Sequence, residues 1–176
     1  MSNSNIANSR GLWFIANYEV ATSQSEIILS VPYTQVESYF LSWDDVTFSI
    51  TGSKLRFRVT KGGSAVTTGN YDFVYKDKYN VAPVTSTGQD GITMDTLDFS
   101  ASQAISTGVA YIYNLPLAQN DYFIFDESIT GQGNIYGNRS AGVVTLQTAS
   151  DGISISCTSG TIDTGTFRLY GYGLDS

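Results

Sequence analysis

Alternation of apolar and polar residues with a period of two predicts β-strands along most of this chain. At residues 153–157 isoleucine and cysteine alternate with serine, and at residues 165–171 Phe167 and Leu169 share one face. The segment between them, residues 158–164, consists of turn formers and small polar residues. We therefore predict a closing β-hairpin, with its first strand buried on one face, that completes the sheet formed by the rest of the chain.

The same alternation, interrupted by turn residues, predicts roughly ten strands. Asp44-Asp45 is interpreted as a turn between two of them, and no apolar pattern recurs at helical spacing, although residues 101–105 could form one short helical turn. The pattern predicts an antiparallel sandwich or barrel. Upstream of the closing pair, the predicted strands cover residues 12–20, 26–31, 37–43, 46–50, 54–60, 71–75, 97–99, 108–113, 121–125 and 143–148.

A single domain is expected to occupy nearly the whole chain. Residues 1–11 are small and polar and are predicted to form an N-terminal arm, and residues 12–176 are predicted to form one domain. Residues 76–96 lack a clear period, and residues 131–140 are rich in glycine and asparagine. Both segments are therefore predicted to be long loops.

The charge of the chain bears on its partners. Only 14% of the 176 residues are charged and the net charge is −7, so phosphate would be repelled and nucleic acid is not an expected partner. No apolar run is long enough to cross a membrane, and the first residues lack the features of a signal peptide. We expect no membrane partner and synthesis in a cytoplasm.

The residues that usually carry catalysis are scarce. There is no histidine, and the single cysteine, Cys157, lies on the apolar face of its predicted strand without a base. Acids at 44–45, 95 and 98, and 126–127 could form a glycosidase pair, but they lie near predicted turns, where acids are common. Acids between Asp90 and Asp95 do not follow the spacing of an EF-hand calcium loop. We predict no catalytic residues, no metal and no cofactor.

Tyrosine is the most suggestive residue type in this chain. Twelve tyrosines beside serine, glycine and asparagine resemble the composition of adaptable binding loops. Tyrosine also simply favours β-sheet, which is the simpler interpretation at any one position. The tyrosines near predicted loops or strand ends are Tyr33, Tyr79, Tyr113, Tyr136 and Tyr172. As candidate contact residues in the two predicted loops we select Tyr79, Tyr136, Asn138 and Arg139, and as candidate docking residues Trp13 and Phe14.

Two stretches carry a family resemblance. Residues 151–162, followed by Gly-Thr-Phe-Arg-Leu-Tyr-Gly at 165–171, resemble the ending of a group of small tailed-bacteriophage virion proteins labelled tail-fibre or virion structural. Residues 33–39, with two tyrosines, and 52–59, with Leu-Arg-Phe-Arg, follow the order of that group, as do residues 108–115. Residues 172–176 extend beyond the usual ending, and 75–96 match nothing in the group.

The resemblance implies a jelly-roll-like antiparallel β-sandwich that catalyses no reaction and is displayed on a virion. The leading hypothesis is a tail-fibre or appendage component that assembles with other virion proteins through its sheet surfaces, as a homotrimer. The alternatives are a head decoration (cement) protein and a carbohydrate-binding module that recognises a host-surface glycan. A glycan-degrading enzyme is a third class, and it requires two carboxyl groups that face each other across a groove.

Overall fold

The computed structural model describes residues 10–31, 36–76, 83–93, 104–131 and 134–174. These residues form strands and their connections, and no helix among them is long and apolar enough to span a membrane. The strands are β1 (Arg10–Glu19), β2 (Glu26–Ser30), β3 (Val36–Phe48), β4 (Leu55–Lys61), β5 (Ser64–Ala65), β6 (Tyr71–Lys76), β7 (Val84–Gln89), β8 (Ile92–Thr93), β9 (Ile105–Tyr113), β10 (Asp121–Gly131), β11 (Asn134–Val144), β12 (Gly152–Cys157) and β13 (Ile162–Leu174).

The strands build two antiparallel sheets, and the chain passes repeatedly from one to the other. The large sheet has eight strands in the order β1-β13-β3-β9-β10-β11-β6-β7. The small sheet has five, with β2-β12-β4-β5 in order and β8 paired to β4. The predicted all-β fold, an antiparallel, jelly-roll-like β-sandwich, is confirmed.

Aromatic side chains fill the space between the two sheets. Phe57 of the small sheet lies with its ring centroid 5.3 Å from that of Trp43 on β3 and 4.9 Å from that of Phe125 on β10. All three side chains are fully buried, in one hydrophobic cluster that includes residues of both sheets. Alternate residues of each strand therefore face this core, which leaves the opposite face of the large sheet to solvent.

The two closing strands are not a hairpin. β12 lies between β2 and β4 in the small sheet, whereas β13 lies between β1 and β3 in the large sheet. The connection between them carries the chain across the sandwich, because each strand completes a different sheet. The expectation that the first strand is buried on one face only is also wrong. Ser154 is fully buried and donates from Oγ to Oε1 of Glu26 at 2.6 Å.

The predicted turn at Asp44-Asp45 lies inside a single long strand. β3 runs from Val36 to Phe48, and its pairing with β9 is irregular between Trp43 and Val46. Asp45 has a φ of 55°, in the left-handed region that asparagine and aspartate tolerate best among non-glycine residues. The acidic pair therefore marks an irregularity in the strand, which the sequence pattern alone does not separate from a turn.

The predicted loop over residues 76–96 contains two strands. β7 pairs with β6 at one edge of the large sheet, and β8 pairs with β4. Most of β7 is exposed, so its sequence, Val-Thr-Ser-Thr-Gly-Gln, lacks the apolar alternation of a half-buried strand. Residues 77–82, the predicted strand at 97–99 and most of the predicted arm lie outside the described residues. Strand β1 already begins at Arg10, and the domain boundary stays a prediction.

Candidate binding face

The solvent side of the large sheet carries two rows of mainly aromatic side chains. Within each row, residues on five neighbouring strands, β1, β13, β3, β9 and β10, lie directly opposite one another in the sheet register. We call these ten residues the tyrosine face. The first row is Phe14, Tyr170, Phe40, Tyr111 and Ile124, and the second is Leu12, Tyr172, Ser38, Tyr113 and Tyr122.

The face is apolar and open to solvent. Seven of its ten side chains are between 38% and 57% exposed, and Phe40 and Tyr170 are half-buried. With about 150–250 Å² for each fully exposed aromatic side chain, the exposed area is on the order of 600–800 Å². The largest apolar patch on a monomeric protein is usually about 300–600 Å² and often functional. The size of this area makes the tyrosine face the candidate binding surface.

The rings of the first row hold one another in place. Phe14 and Tyr170 meet edge to face with centroids 5.8 Å apart, and Phe40 contacts Tyr170 and Tyr111 at 6.0 and 5.3 Å. Each such pair contributes about 0.5–1.5 kcal/mol beyond the area that it buries. The surface is therefore ordered before any partner arrives, so that binding loses little side-chain entropy.

A cleft interrupts the second row. Ser38 is the small residue of that row and lies between Tyr172 and Tyr113, so a space of about 360 Å³ opens above it. This volume lies within the range of roughly 300–1,000 Å³ typical of small-molecule sites. The cleft has no charged residue in its lining, which consists of Leu12, Ser38, Tyr39, Phe40, Tyr111, Tyr113 and Tyr172.

Charged side chains appear beside the face and are paired with each other. Arg168 contacts Asp44 at 2.7 Å, and Arg139 contacts Asp126 at 2.5 Å. Arg168 lies two residues from Tyr170, and Asp126 two residues from Ile124, so both pairs border the first row. Because each of these arginines is already neutralised by a carboxylate, neither offers an unpaired cation to an anionic ligand.

The two candidate docking residues lie on opposite sides of β1. Phe14 is 56% exposed and belongs to the tyrosine face, whereas Trp13 is half-buried and packs against the core. Neighbouring residues of a strand point to opposite faces, so the pair could not act as one patch. Trp13 and Ile15 leave little room for a side chain at position 171, where the chain has glycine, because a Cβ there would lie 3.2 Å from Trp13 Cε2 and 3.0 Å from Ile15 Cδ1.

The candidate contact residues of the second predicted loop lie on a strand, so the loop prediction is wrong. Tyr136, Asn138 and Arg139 belong to β11, which pairs with β10 from Asn134 to Val144. Asn138 is buried, while Arg139 is exposed and bonded to Asp126. Tyr136 lies opposite Ile129 in the register. The glycines and asparagine that suggested a loop instead occupy paired positions, since the backbone hydrogen bonds tolerate any residue except proline. Tyr79 lies outside the described residues.

The adjacent acids Asp126 and Glu127 do not form a catalytic dyad. Asp126 is exposed and Glu127 buried, because adjacent residues of β10 face opposite sides. The other buried acid of this strand, Asp121, lies six residues from Glu127, which is about 20 Å along a strand. Glycosidase carboxyl groups are about 5–9.5 Å apart. Among the described residues, no cluster of three or more acids or cysteines could hold a metal ion, and Asp95 and Asp98 lie outside them.

Two buried carboxyl groups have unusual surroundings. Glu127 Oε1 accepts a hydrogen bond from Ser106 Oγ, which accepts one from Trp43 Nε1 at 2.8 Å. Asp121 Oδ2 accepts one from Ser150 Oγ at 2.9 Å. The second oxygen of each carboxyl group has no hydrogen-bond partner among the described residues. Burial raises the pKa of both groups to about 7, although the serine hydrogen bonds oppose the increase.

Comparison with known proteins adds no family. No protein-family model matches the chain, and no curated relative matches its sequence. A galectin from Caenorhabditis elegans, LEC-6, is 9% identical with a TM-score of 0.35, over 90% of this chain and 99% of the galectin. CG-16, a homodimeric agglutinin from chicken liver, is 9% identical with a TM-score of 0.26, over 86% and 96%. An alginate lyase from Alteromonas sp. 272 is 11% identical with a TM-score of 0.25, over 81% and 74%. At these values the likeness carries no argument about ligand or activity.

Proposed function

We propose that this protein is a non-enzymatic structural component of a bacteriophage virion, of the tail-fibre or appendage kind, that recognises a neutral glycan on the host surface. The resemblance of residues 151–171 to phage virion proteins supports the location. The observation that carries glycan recognition is the tyrosine-lined cleft above Ser38. Contacts with other virion proteins remain a prediction. Assembly as a homotrimer, part of the leading hypothesis, also remains a prediction, and a two-fold dimer of this chain would contradict it.

The chemistry of the cleft favours an uncharged sugar. A pyranose ring presents apolar C–H faces and a rim of hydroxyl groups, and aromatic rings with phenol groups complement both parts. Tyr113 and Tyr172 stand on either side of Ser38, so a ring seated there has an aromatic side chain on each side. The cleft lining offers no cation to an acidic sugar, and the net charge of −7 on the chain repels such a sugar.

Replacement of either cleft tyrosine tests this proposal. We expect Tyr113→Ala and Tyr172→Ala each to weaken binding of a neutral oligosaccharide roughly tenfold, since each removes one stacking surface. Tyr122→Ala is the matched control, because Tyr122 is exposed on the same face but does not line the cleft. Binding is measured by a glycan array followed by titration calorimetry on the best neutral ligand, with uronic-acid polymers as the acidic comparison.

Two results would contradict glycan recognition at this cleft. One is a wild-type protein that binds no neutral glycan or prefers the acidic polymers. The other is an equal loss in all three variants, since that would place the ligand elsewhere on the tyrosine face or attribute the loss to misfolding. Circular dichroism and thermal unfolding of each variant separate these two causes.

The second candidate is a head decoration protein that uses the same face to dock on the capsid. The exposed area, on the order of 600–800 Å², is close to the roughly 800 Å² per partner of a standard protein interface. Immunogold labelling of purified particles separates the candidates. We expect label at the tail or its fibres, whereas label over the head lattice would favour decoration. Particles without label would remove the proposed virion role altogether.

A further inference from the structure

We propose that two copies of this chain pair along β1 in antiparallel orientation, so that their large sheets join into one continuous sheet around a two-fold axis. The partner is a second copy of the same chain. The proposal rests on the edge of the sheet and is independent of what the tyrosine face binds.

The first observation is the open edge of β1. In the described part of the chain, β1 pairs with β13 on one side and with no strand on the other. Its ten residues contain neither proline nor lysine, which commonly protect edge strands from pairing. The opposite edge of the large sheet is the six-residue β7, whose Gly88 has a φ of 62°. β1 is therefore the longer and more regular template for a second chain.

The second observation is the register that this edge allows. The pairing of β1 with β13 shifts between Phe14 and Ala16, so Ile15 is an extra residue that changes the phase of the strand. Before it, Leu12 and Phe14 are exposed, and after it, Asn17 and Glu19 are exposed. An antiparallel partner must place exposed residues opposite exposed residues, because residues directly opposite lie on the same face.

A two-fold axis between Phe14 and Ile15 satisfies this requirement at residues 11–13 and 16–18. Leu12 then lies opposite Asn17 of the partner subunit, with both positions exposed, and Trp13 lies opposite the partner's Ala16, with both half-buried. Phe14 and Ile15, at the irregularity itself, are mismatched. An axis on Phe14 or on Ile15 would instead oppose exposed and half-buried positions along the strand.

Two registers place exposed residues opposite exposed residues, and the charges at the strand ends favour one of them. An axis between Ile15 and Ala16 also matches faces, but it leaves Arg10 and Gly11 beyond the paired region. The axis between Phe14 and Ile15 pairs all ten residues and places Arg10 opposite the partner's Glu19 at both ends. Opposite charges attract in this register, and the edge as a whole carries no net charge despite the −7 of each copy.

The pair has a consequence for the tyrosine face. Leu12, at the border of the cleft, lies on β1, so the two clefts would stand on one continuous face on either side of the junction. Two sites held at a fixed separation bind a repeating polymer far more tightly than one site does.

Charge reversal at the strand ends tests both the pair and its register. We expect the wild-type chain to sediment as a dimer in analytical ultracentrifugation without glycan. Arg10→Glu and Glu19→Arg should each raise the dimer dissociation constant about tenfold, because each creates two like-charge contacts. The double variant restores opposite charges and should return close to the wild-type value. Glu19 is exposed, so its replacement leaves the fold intact, as circular dichroism would verify.

The proposal is overturned by a monomer at all concentrations, by a trimer, or by single and double variants that associate equally. Asp163→Arg is the matched control for Glu19→Arg, since both replace an acid by arginine, and because it lies away from β1 it should leave the dimer unchanged. Glycan binding by a chain that stays monomeric would overturn the pair and leave the proposed function intact.

Discussion

We expect Phe57→Ala to lower the free energy of unfolding by about 3–5 kcal/mol, the range for a fully buried phenylalanine. Phe57 is the small-sheet residue whose ring contacts both Trp43 and Phe125 of the large sheet. Its removal leaves a cavity where the two sheets meet, and neither large ring can move into it without losing its own contacts. Urea denaturation followed by tryptophan fluorescence measures the change, since Trp43 borders the cavity.

Phe14→Ala is a matched control that separates the effect of burial from the effect of removing a phenyl ring. Phe14 has the same side chain but is 56% exposed on the tyrosine face, so Phe14→Ala should cost about 1 kcal/mol or less. Because small domains are stable by only about 5–15 kcal/mol, the loss at Phe57 is a large fraction of the total. Equal losses in the two variants would show that the sheets do not pack through Phe57.

The second large effect is a stability that decreases as the pH rises. Burial raises the pKa of Asp121 from 3.8 to about 7 and of Glu127 from 4.5 to about 7. In the unfolded chain both groups lose their protons near pH 4, while the folded protein keeps them until about pH 7. The folded state therefore binds more protons within this window, and its stability falls as the pH rises through it. Below the window both states are protonated and the loss disappears.

Neutral isosteres should remove this dependence. In Asp121→Asn and in Glu127→Gln, the difference in unfolding free energy between pH 5 and pH 8 should shrink by about 1–3 kcal/mol each. Urea titrations at the two pH values measure it. The control is Ser128→Ala, because Ser128 is the exposed neighbour of Glu127 on β10 and its replacement changes no ionisable group. An unaltered slope in both buried variants would contradict this account.

The fold class could be predicted because alternation is local. In β4 the apolar residues Leu55, Phe57 and Val59 are buried and alternate with Arg56 and Arg58, so this strand shows its period in the sequence. The partner of each strand is not local, so the sequence pattern wrongly pairs residues 153–157 with residues 165–171. In Gly152–Cys157, Ile153 and Ile155 face the core, and Glu26 and Arg58 of the neighbouring strands contact Ser154 and Ser156 on the other face. No period within the strand reveals that this second face is covered.

The binding face was predictable only in fragments. The sequence indicates Tyr113 and Tyr172 as tyrosines near strand ends, and Phe14 as a docking residue. The strand register, which the sequence does not show, places five strands side by side and so adds Tyr111, Tyr122 and Tyr170 to the face. The sequence does not indicate the role of Ser38, because a serine forms a cleft only when its neighbours across the sheet are large. In β11 the sequence composition is misleading, because glycine and asparagine suggest a loop where the strand is paired.

The position of β13 between β1 and β3 has a consequence for biosynthesis. β1 leaves the ribosome before its partner strand, which begins roughly 150 residues later, and at about 5–20 residues per second that is a delay of roughly 8–30 s. Throughout this time Trp13 and Ile15 lack the strand that covers them in the finished sheet. Such a nascent chain is a natural client for a chaperone that holds extended apolar segments. We therefore expect the yield of this protein in cells to depend more on protection of β1 during translation than on the stability of the completed sandwich.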